Sequence, residues 1–128
     1  MHKFFCQLLL VKLRPFAEKI QGFIITLILA GFGVRIIKGI FTYTTQGELY
    51  QLFLLACSQR PGCRILEIGA HFGASSVYLA AGAALRNGNV YSVDTWMNDA
   101  MGNDQMQNTW EEFSRNTKAV SGNLTPIR

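Results

Sequence analysis

Hydrophobic and polar positions change their pattern once along this chain, near residue 44. Before that point lies an uncharged run from Ile20 to Val34, bounded by Lys19 and Arg35. As a helix, these fifteen residues would cover about 22 Å, against about 30 Å for the hydrocarbon core of a bilayer. Extending the helix would bury Arg35 and Lys38, at about 2.5–3.5 kcal/mol each at the bilayer centre. The pattern therefore favours an apolar helix over a transmembrane span.

A secretory signal would be followed by a small-residue cleavage pattern, so this interpretation of the apolar segment is set aside. Two other interpretations remain. In the first, a helix within residues 20–41 lies on a membrane surface, flanked by basic residues. In the second, an apolar helix covers the sheet or forms a dimer contact. We expect Pro15 to limit any helix that precedes it, and Gly31 and Gly33 to weaken a helix running through them.

The net charge of +4 is unevenly distributed along the chain. Residues 1–46 contain six Lys or Arg and one acidic residue, a net +5, whereas residues 47–128 contain six basic and seven acidic residues, a net −1. The basic excess therefore belongs to the N-terminal segment. It does not indicate a nucleic-acid surface on the rest of the chain, and we expect no nucleic-acid partner.

Cysteine and histidine positions do not suggest a metal site. Cys57 and Cys63 form no C-x-x-C pair, and His2 and His71 are far in sequence from other ligand types. Together with Cys6, these cysteines are interpreted as reduced residues of a cytoplasmic protein, with membrane association as the side hypothesis.

After residue 44 the pattern predicts a helix, a strand, a glycine turn and a second helix. Leu49, Phe53 and Ala56 recur at helical spacing, and a Pro-Gly pair at residues 61–62 breaks that helix. The short apolar run Ile65-Leu66-Glu67-Ile68 predicts a buried parallel strand. From Ser75 to Ala84, small and apolar residues predict a well-packed helix.

The turn between this strand and helix has the spacing E-x-G-x-x-x-G-x-S, held by Glu67, Gly69, Gly73 and Ser75. Gly69 lets the backbone adopt a positive φ and approach a ligand, and Gly73 lets the next helix pack closely on the strand. The helix N-terminus favours an anionic group, and Ser75 caps it or bonds the ligand. Glu67 needs a partner in its apolar strand, such as a ligand ammonium or backbone N–H groups.

A second strand is predicted over residues 89–93 and ends at Asp94, 27 positions after Glu67. In doubly wound nucleotide-binding folds, an acid at this place hydrogen-bonds ribose hydroxyls. Asp94 is therefore the candidate ribose ligand.

The run from Ile65 to Ser76, with Val93-Asp94-Thr95-Trp96, resembles the class I S-adenosylmethionine-dependent methyltransferases. It is most similar to small-molecule and sugar O-methyltransferases and cephalosporin-hydroxylase-like proteins that carry L-E-I-G-x-x-x-G-x-S. The similarity covers about residues 44–128, with a helix at 109–117 and a third strand at 124–127. The resemblance implies a cofactor site made of Glu67, Gly69, Ala70, Gly73, Ser75, Asp94 and Thr95.

The resemblance implies a Rossmann-like doubly wound α/β fold, but only its first two to three strands. Residues 1–43 would form an apolar helical segment, and residues 44–128 the N-terminal half of the methyltransferase domain. A complete fold of this kind needs about 200 residues, so the first strand would be left as an exposed apolar edge. We expect the adenine-contacting loop and most catalytic residues to lie beyond Arg128.

The expected activity is O-methyl transfer from S-adenosylmethionine to a small molecule or sugar, with a longer chain, a second copy or a complementing chain supplying the rest. Two alternatives remain open. The chain is an inactive remnant that associates with partners or membranes, or it is another nucleotide-binding module that takes NAD.

Some relatives use a divalent ion, which Asp99 and Asp104 would help to hold, although both are more simply solvated loop acids. His71 is interpreted as a loop residue.

Overall fold

The structure, a computed structural model, describes residues 2–33, 39–97 and 108–128, with side chains from residue 14 onward. In chain order the elements are α1 (His2–Gly31), α2 (Gln46–Cys57), β1 (Arg64–Ile68), α3 (Ala74–Ala84), β2 (Asn89–Val93), α4 (Trp110–Thr117), a short 3-10 helix (Lys118–Val120) and β3 (Leu124–Ile127). The alternation of strands and helices from β1 onward confirms the predicted α/β class.

The three strands form one parallel sheet in the order β1-β2-β3. Ile65 lies beside Val90, which lies beside Leu124, and the pairing continues without interruption to the strand ends. The three predicted strands are thus confirmed. Since β1 and β2 are joined through α3, their carboxyl ends meet at one edge of the sheet, where ligands bind in folds of this type.

Helix α2 begins with a capping box, which explains where the predicted helix starts. The Thr45 hydroxyl accepts from the backbone N–H of Glu48, and the Glu48 carboxylate accepts from the backbone N–H of Thr45. Along the helix, Leu49, Phe53 and Ala56 are buried, as their spacing predicts. These residues pack α2 on α3 and form the centre of the core.

Helix α1 packs against α2 and α3 rather than on the sheet. A Cβ at Gly22 would lie 2.6 Å from the Tyr50 ring, so glycine allows the two helices to approach closely. Ile25 and Leu29 are buried in the same core as α2 and α3. The expected limit at Pro15 is wrong, because Pro15 lies inside α1. The packing of the turns from Gly22 onward stabilises the helix against the cost of proline, about 3 kcal/mol.

The sheet is covered on one face. Glu67 on β1 and Ser92 on β2 point to the face on which α3 packs, and both are buried. The opposite face exposes 64% of Leu66, 81% of Ile68 and 41% of Ile127. The prediction of a buried strand is therefore wrong for the face of β1 that carries Leu66 and Ile68. The expectation that β1 is left at an edge is confirmed for the described sheet.

Candidate functional site

The carboxyl ends of β1 and β2 lie side by side, and the space beyond them is here named the crevice, because ligands bind at this place in folds of this type. The backbone N–H of Gly69 donates to the carbonyl of Val93 at 2.9 Å, which extends the strand pairing by one residue beyond β1. Asp94 follows Val93 directly, so the glycine turn and the candidate ribose ligand lie side by side. The structure therefore brings together the two features that the sequence placed 25 positions apart.

The two glycines of the turn need to be glycine for different reasons. Both have positive φ, +85° at Gly69 and +86° at Gly73. No atom lies within 4 Å of a Cβ added at Gly69, so this position opens onto free space. A Cβ at Gly73 would instead lie 2.6 Å from Thr117 Cγ2 and 3.0 Å from Phe113 Cδ2. The close packing predicted at Gly73 is thus with α4 rather than with the strand.

Glu67 is paired by serine hydroxyls, and not by the backbone N–H groups expected from the sequence. Ser75 donates to its Oε1, whereas Ser76 and Ser92 each donate to its Oε2 at 2.5 Å. Ser76 and Ser92 are fully buried, and Glu67 is 8% exposed. This network ties β1, the first turn of α3 and β2 together, and it provides hydrogen bonds that compensate for burying a carboxylate.

The N-terminus of α3 lies beside the glycine turn, and its first residues Gly73, Ala74 and Ser76 are buried. Gly73 is its N-cap residue, and in this described helix no side-chain hydrogen bond caps it. Ser75 does not fill that role, because its hydroxyl donates to Glu67; the first half of the prediction for Ser75 is wrong. The backbone N–H groups of a helix's first turn have no partner within the helix, and they attract anions.

Asp94 holds two backbone turns at the edge of the crevice. Its Oδ2 accepts from the N–H of His71 and its Oδ1 from the N–H of Trp96, each at 2.7 Å. His71 and Trp96 are both non-glycine residues with positive φ, +47° and +52°. Such conformations persist only where the surrounding structure enforces them. Each carboxylate oxygen keeps a second lone pair that could accept a hydrogen bond from a ligand.

Ala70 and Thr95 are the two remaining residues of the predicted cofactor site. Ala70 is 2% exposed, and its carbonyl accepts from the N–H of Gly73 at 2.7 Å, closing the turn. Thr95 is exposed beside Asp94, and its hydroxyl oxygen lies 3.4 Å from the N–H of Met97. All seven predicted residues therefore lie in or next to the turn and the two strand ends.

An aromatic cleft lies near the end of β3. Its volume is about 250 Å³, and it is lined by Trp96, Asn108, Trp110, Pro126 and Arg128. Trp96 and Trp110 meet edge to face, with ring centroids 4.8 Å apart. Trp96 Nε1 is buried and has no hydrogen-bond partner in the described structure. Thr109 Oγ1 is in the same state, and buried polar groups without a partner call for an explanation such as a bound water, an ion or a functional role.

A second aromatic group, which the sequence analysis did not identify, lies beside the glycine turn. Phe41 and Tyr43 precede α2, and their rings lie 5.3 Å apart and within about 6.5 Å of the rings of His71 or Phe72. Phe41 is 60% exposed and Tyr43 is 71% exposed. The sequence signal for this aromatic group is a pair of aromatic residues, separated by one position, just before the N-cap of α2.

The described residues provide little basis for a metal site or a reactive thiol. Across residues 2–33, 39–97 and 108–128, no group of three or more His, Cys, Asp and Glu side chains could hold a metal ion. Asp99 and Asp104 lie outside the described residues. Burial raises the pKa of Cys57, against an opposing effect of Arg86, and therefore favours its neutral thiol form.

A comparison with models of known protein families finds no match for this chain, and a search of curated proteins also finds none.

Proposed function

We propose that the crevice at the carboxyl ends of β1 and β2 binds S-adenosylmethionine, and that the chain serves O-methyl transfer to a small molecule or sugar. The supporting observation is Gly69, which has a φ of +85° and open space where a side chain would be. Packing does not require glycine there. The positive φ by itself favours glycine, and the open space leaves room for a ligand to approach the backbone closely.

The surrounding groups suit the parts of this cofactor. The N-terminus of α3, which has no side-chain cap, favours the carboxylate of the methionine part. Asp94, with a free lone pair on each oxygen, suits the ribose hydroxyls. The cleft of about 250 Å³ beside Trp96 is smaller than the roughly 300–1,000 Å³ of sites for whole drug-sized ligands, and suits a single planar ring system. When bound, the cofactor supplies an electrophilic methyl group on a sulfonium.

In this proposal Glu67 acts through its neighbours. Its carboxylate is occupied by the hydroxyls of Ser75, Ser76 and Ser92, so it fixes the first turn of α3 against both strands. Phe41 and Tyr43, whose rings lie beside His71 of the glycine turn and are exposed, offer an apolar wall for the acceptor. The task of the protein in such a reaction is mainly to align the acceptor with the methyl group.

Isothermal titration of the purified chain with S-adenosylmethionine, S-adenosylhomocysteine and NAD tests the proposal. We expect the first two to bind and NAD not to bind. Gly69→Val should abolish binding, because its methyl groups would occupy the space at the base of the crevice. Binding of NAD alone would favour a different nucleotide-binding module, and no binding by a folded sample would overturn the proposal.

Gly62→Val is the matched control for this experiment. Gly62 also has positive φ, +73°, and open space around an added Cβ, but it lies in the turn before β1, at the opposite end of the strand. The two variants should lose similar stability from backbone strain. Only Gly69→Val should lose cofactor binding, and equal loss in both would mean that strain, rather than the crevice, is responsible.

A further inference from the structure

From residue 14 onward, helix α1 presents two apolar faces, of which one is buried and one is exposed. The inner face, with Ile25 and Leu29, packs into the core. The other face, here named the outer stripe, consists of large apolar residues at helical spacing that are 45–65% exposed: Phe16, Ile20, Phe23, Ile24 and Leu27. In the described structure no element covers these side chains. A continuous exposed stripe of this kind marks an interaction surface.

Among the described side chains of α1, two are basic, and one of these two is neutralised by an ion pair. Lys19 lies next to Ile20 in the helix, while Arg14 is paired with Glu18 at 2.9 Å. Glu18 lies two positions from both Phe16 and Ile20, on the other side of the helix, where it lines the groove between α1 and α2. It is the single acidic residue among residues 1–46, against six basic ones. The partner of this surface should therefore be apolar with negative charges at its rim.

A second copy of the chain does not meet that requirement. Two outer stripes packed together would bring Lys19 of each copy close to the other, with no acidic side chain on the stripe to separate them. Like charges so placed oppose association. An anionic lipid surface offers both components, acyl chains for the apolar stripe and headgroup charges for the lysine.

Helix α1 carries the outer stripe along about three turns. None of the helices in the described ranges is long and apolar enough to cross a membrane. We propose that α1 lies in the interface of an anionic membrane, with the outer stripe inserted among the lipids and the inner face holding the α/β unit. The surface involved thus runs from Phe16 to Leu27, within α1, and differs from the segment of residues 20–41 expected from the sequence.

Vesicle flotation of the full chain tests this proposal. We expect the chain to float with phosphatidylcholine vesicles that contain phosphatidylglycerol, to float less with phosphatidylcholine alone, and to be released by high salt. Lys19→Gln should weaken binding to the anionic vesicles about fivefold. Failure of the wild-type chain to float with anionic vesicles would overturn the proposal.

Two pairs of equally exposed residues provide the matched variants. Phe23→Gln with Leu27→Gln changes side chains that are 64% and 56% exposed, and Leu55→Gln with Leu85→Gln changes two that are 58% and 50% exposed elsewhere. The first pair should weaken lipid binding about tenfold or more, and the second should leave it unchanged. Equal effects of the two pairs would contradict a specific surface. A wild-type dimer in sedimentation equilibrium that the first pair dissociates would assign the stripe to a second copy instead.

Discussion

Replacing Gly73 with alanine should lower the free energy of unfolding for two separate reasons. The new Cβ would lie 2.6 Å from Thr117 Cγ2 and 3.0 Å from Phe113 Cδ2, both on α4. The φ of +86° at this position costs a residue with a Cβ about 1–2 kcal/mol, and overpacking costs about 1–3 kcal/mol more. We therefore expect Gly73→Ala to lower the free energy of unfolding by about 2–5 kcal/mol.

Two further variants separate these costs. Gly69→Ala carries only the backbone cost, because its φ is +85° and the added Cβ meets nothing within 4 Å; we expect a loss of about 1–2 kcal/mol. Thr117→Ser removes the methyl group that the new Cβ would meet, and keeps the hydroxyl that donates to the carbonyl of Phe113. Combined with Gly73→Ala, it should recover much of the packing cost.

Urea unfolding, followed by circular dichroism and by the fluorescence of Trp96 and Trp110, measures these differences. At about 1–3 kcal/mol per molar urea, a loss of about 3 kcal/mol moves the midpoint by about 1–3 M. The fluorescence reports on the region concerned, since both indole rings pack around Phe113. Equal stability of Gly73→Ala and Gly69→Ala would refute the packing argument, as would a double-mutant cycle without coupling between residues 73 and 117.

Two other predictions concern carboxylates. Glu67→Ala leaves the buried hydroxyls of Ser76 and Ser92 without their acceptor, so it should lower the free energy of unfolding by about 2–6 kcal/mol. Glu67→Gln keeps an acceptor oxygen and should cost clearly less in urea unfolding. Equal costs of the two variants would contradict the network. The hydroxyl and then the backbone N–H of Thr45 lower the pKa of Glu48. The contribution of ionised Glu48 to stability is therefore complete above about pH 4.3, the ordinary pKa of glutamate, and it is lost as pH falls through the lowered pKa. The difference in thermal midpoint between wild type and Glu48→Ala should therefore shrink between pH 7 and pH 3, and a constant difference would exclude this role.

The elements from α2 onward could be predicted because their signals are local. Apolar spacing indicated α2 through Leu49, Phe53 and Ala56, and short apolar runs indicated the strands. The exposed face of β1 could not be predicted from that run. Leu66 and Ile68 have the composition of residues covered on both sides of a parallel sheet, and only the three-dimensional arrangement shows that α3 covers one side.

The site was predicted where it depends on spacing along one strand and turn, and missed where distant segments meet. The spacing of Glu67 and Gly69 is a property of a few residues. The serine that Glu67 finds on β2, Ser92, is 25 positions away, and nothing in its neighbours distinguishes it from a surface serine. Phe41 and Tyr43 were likewise assigned to an N-terminal segment, although they contact the glycine turn. Such contacts depend on how α1 and α2 pack.

Asp94 shows why a binding test on this crevice depends on the choice of variant. The sequence predicted a ribose ligand, but its carboxylate also tethers His71 and Trp96, both in unfavourable backbone conformations. Asp94→Ala would release both turns, at about 1.5–3 kcal/mol for each charged hydrogen bond, and cofactor binding would fall whether or not Asp94 touches the cofactor. Gly69 has no side chain that tethers other segments, and the backbone strain of Gly69→Val is matched in Gly62→Val. Comparing Gly69→Val with Gly62→Val therefore separates binding from folding at this crevice, which substitution of the acid cannot do.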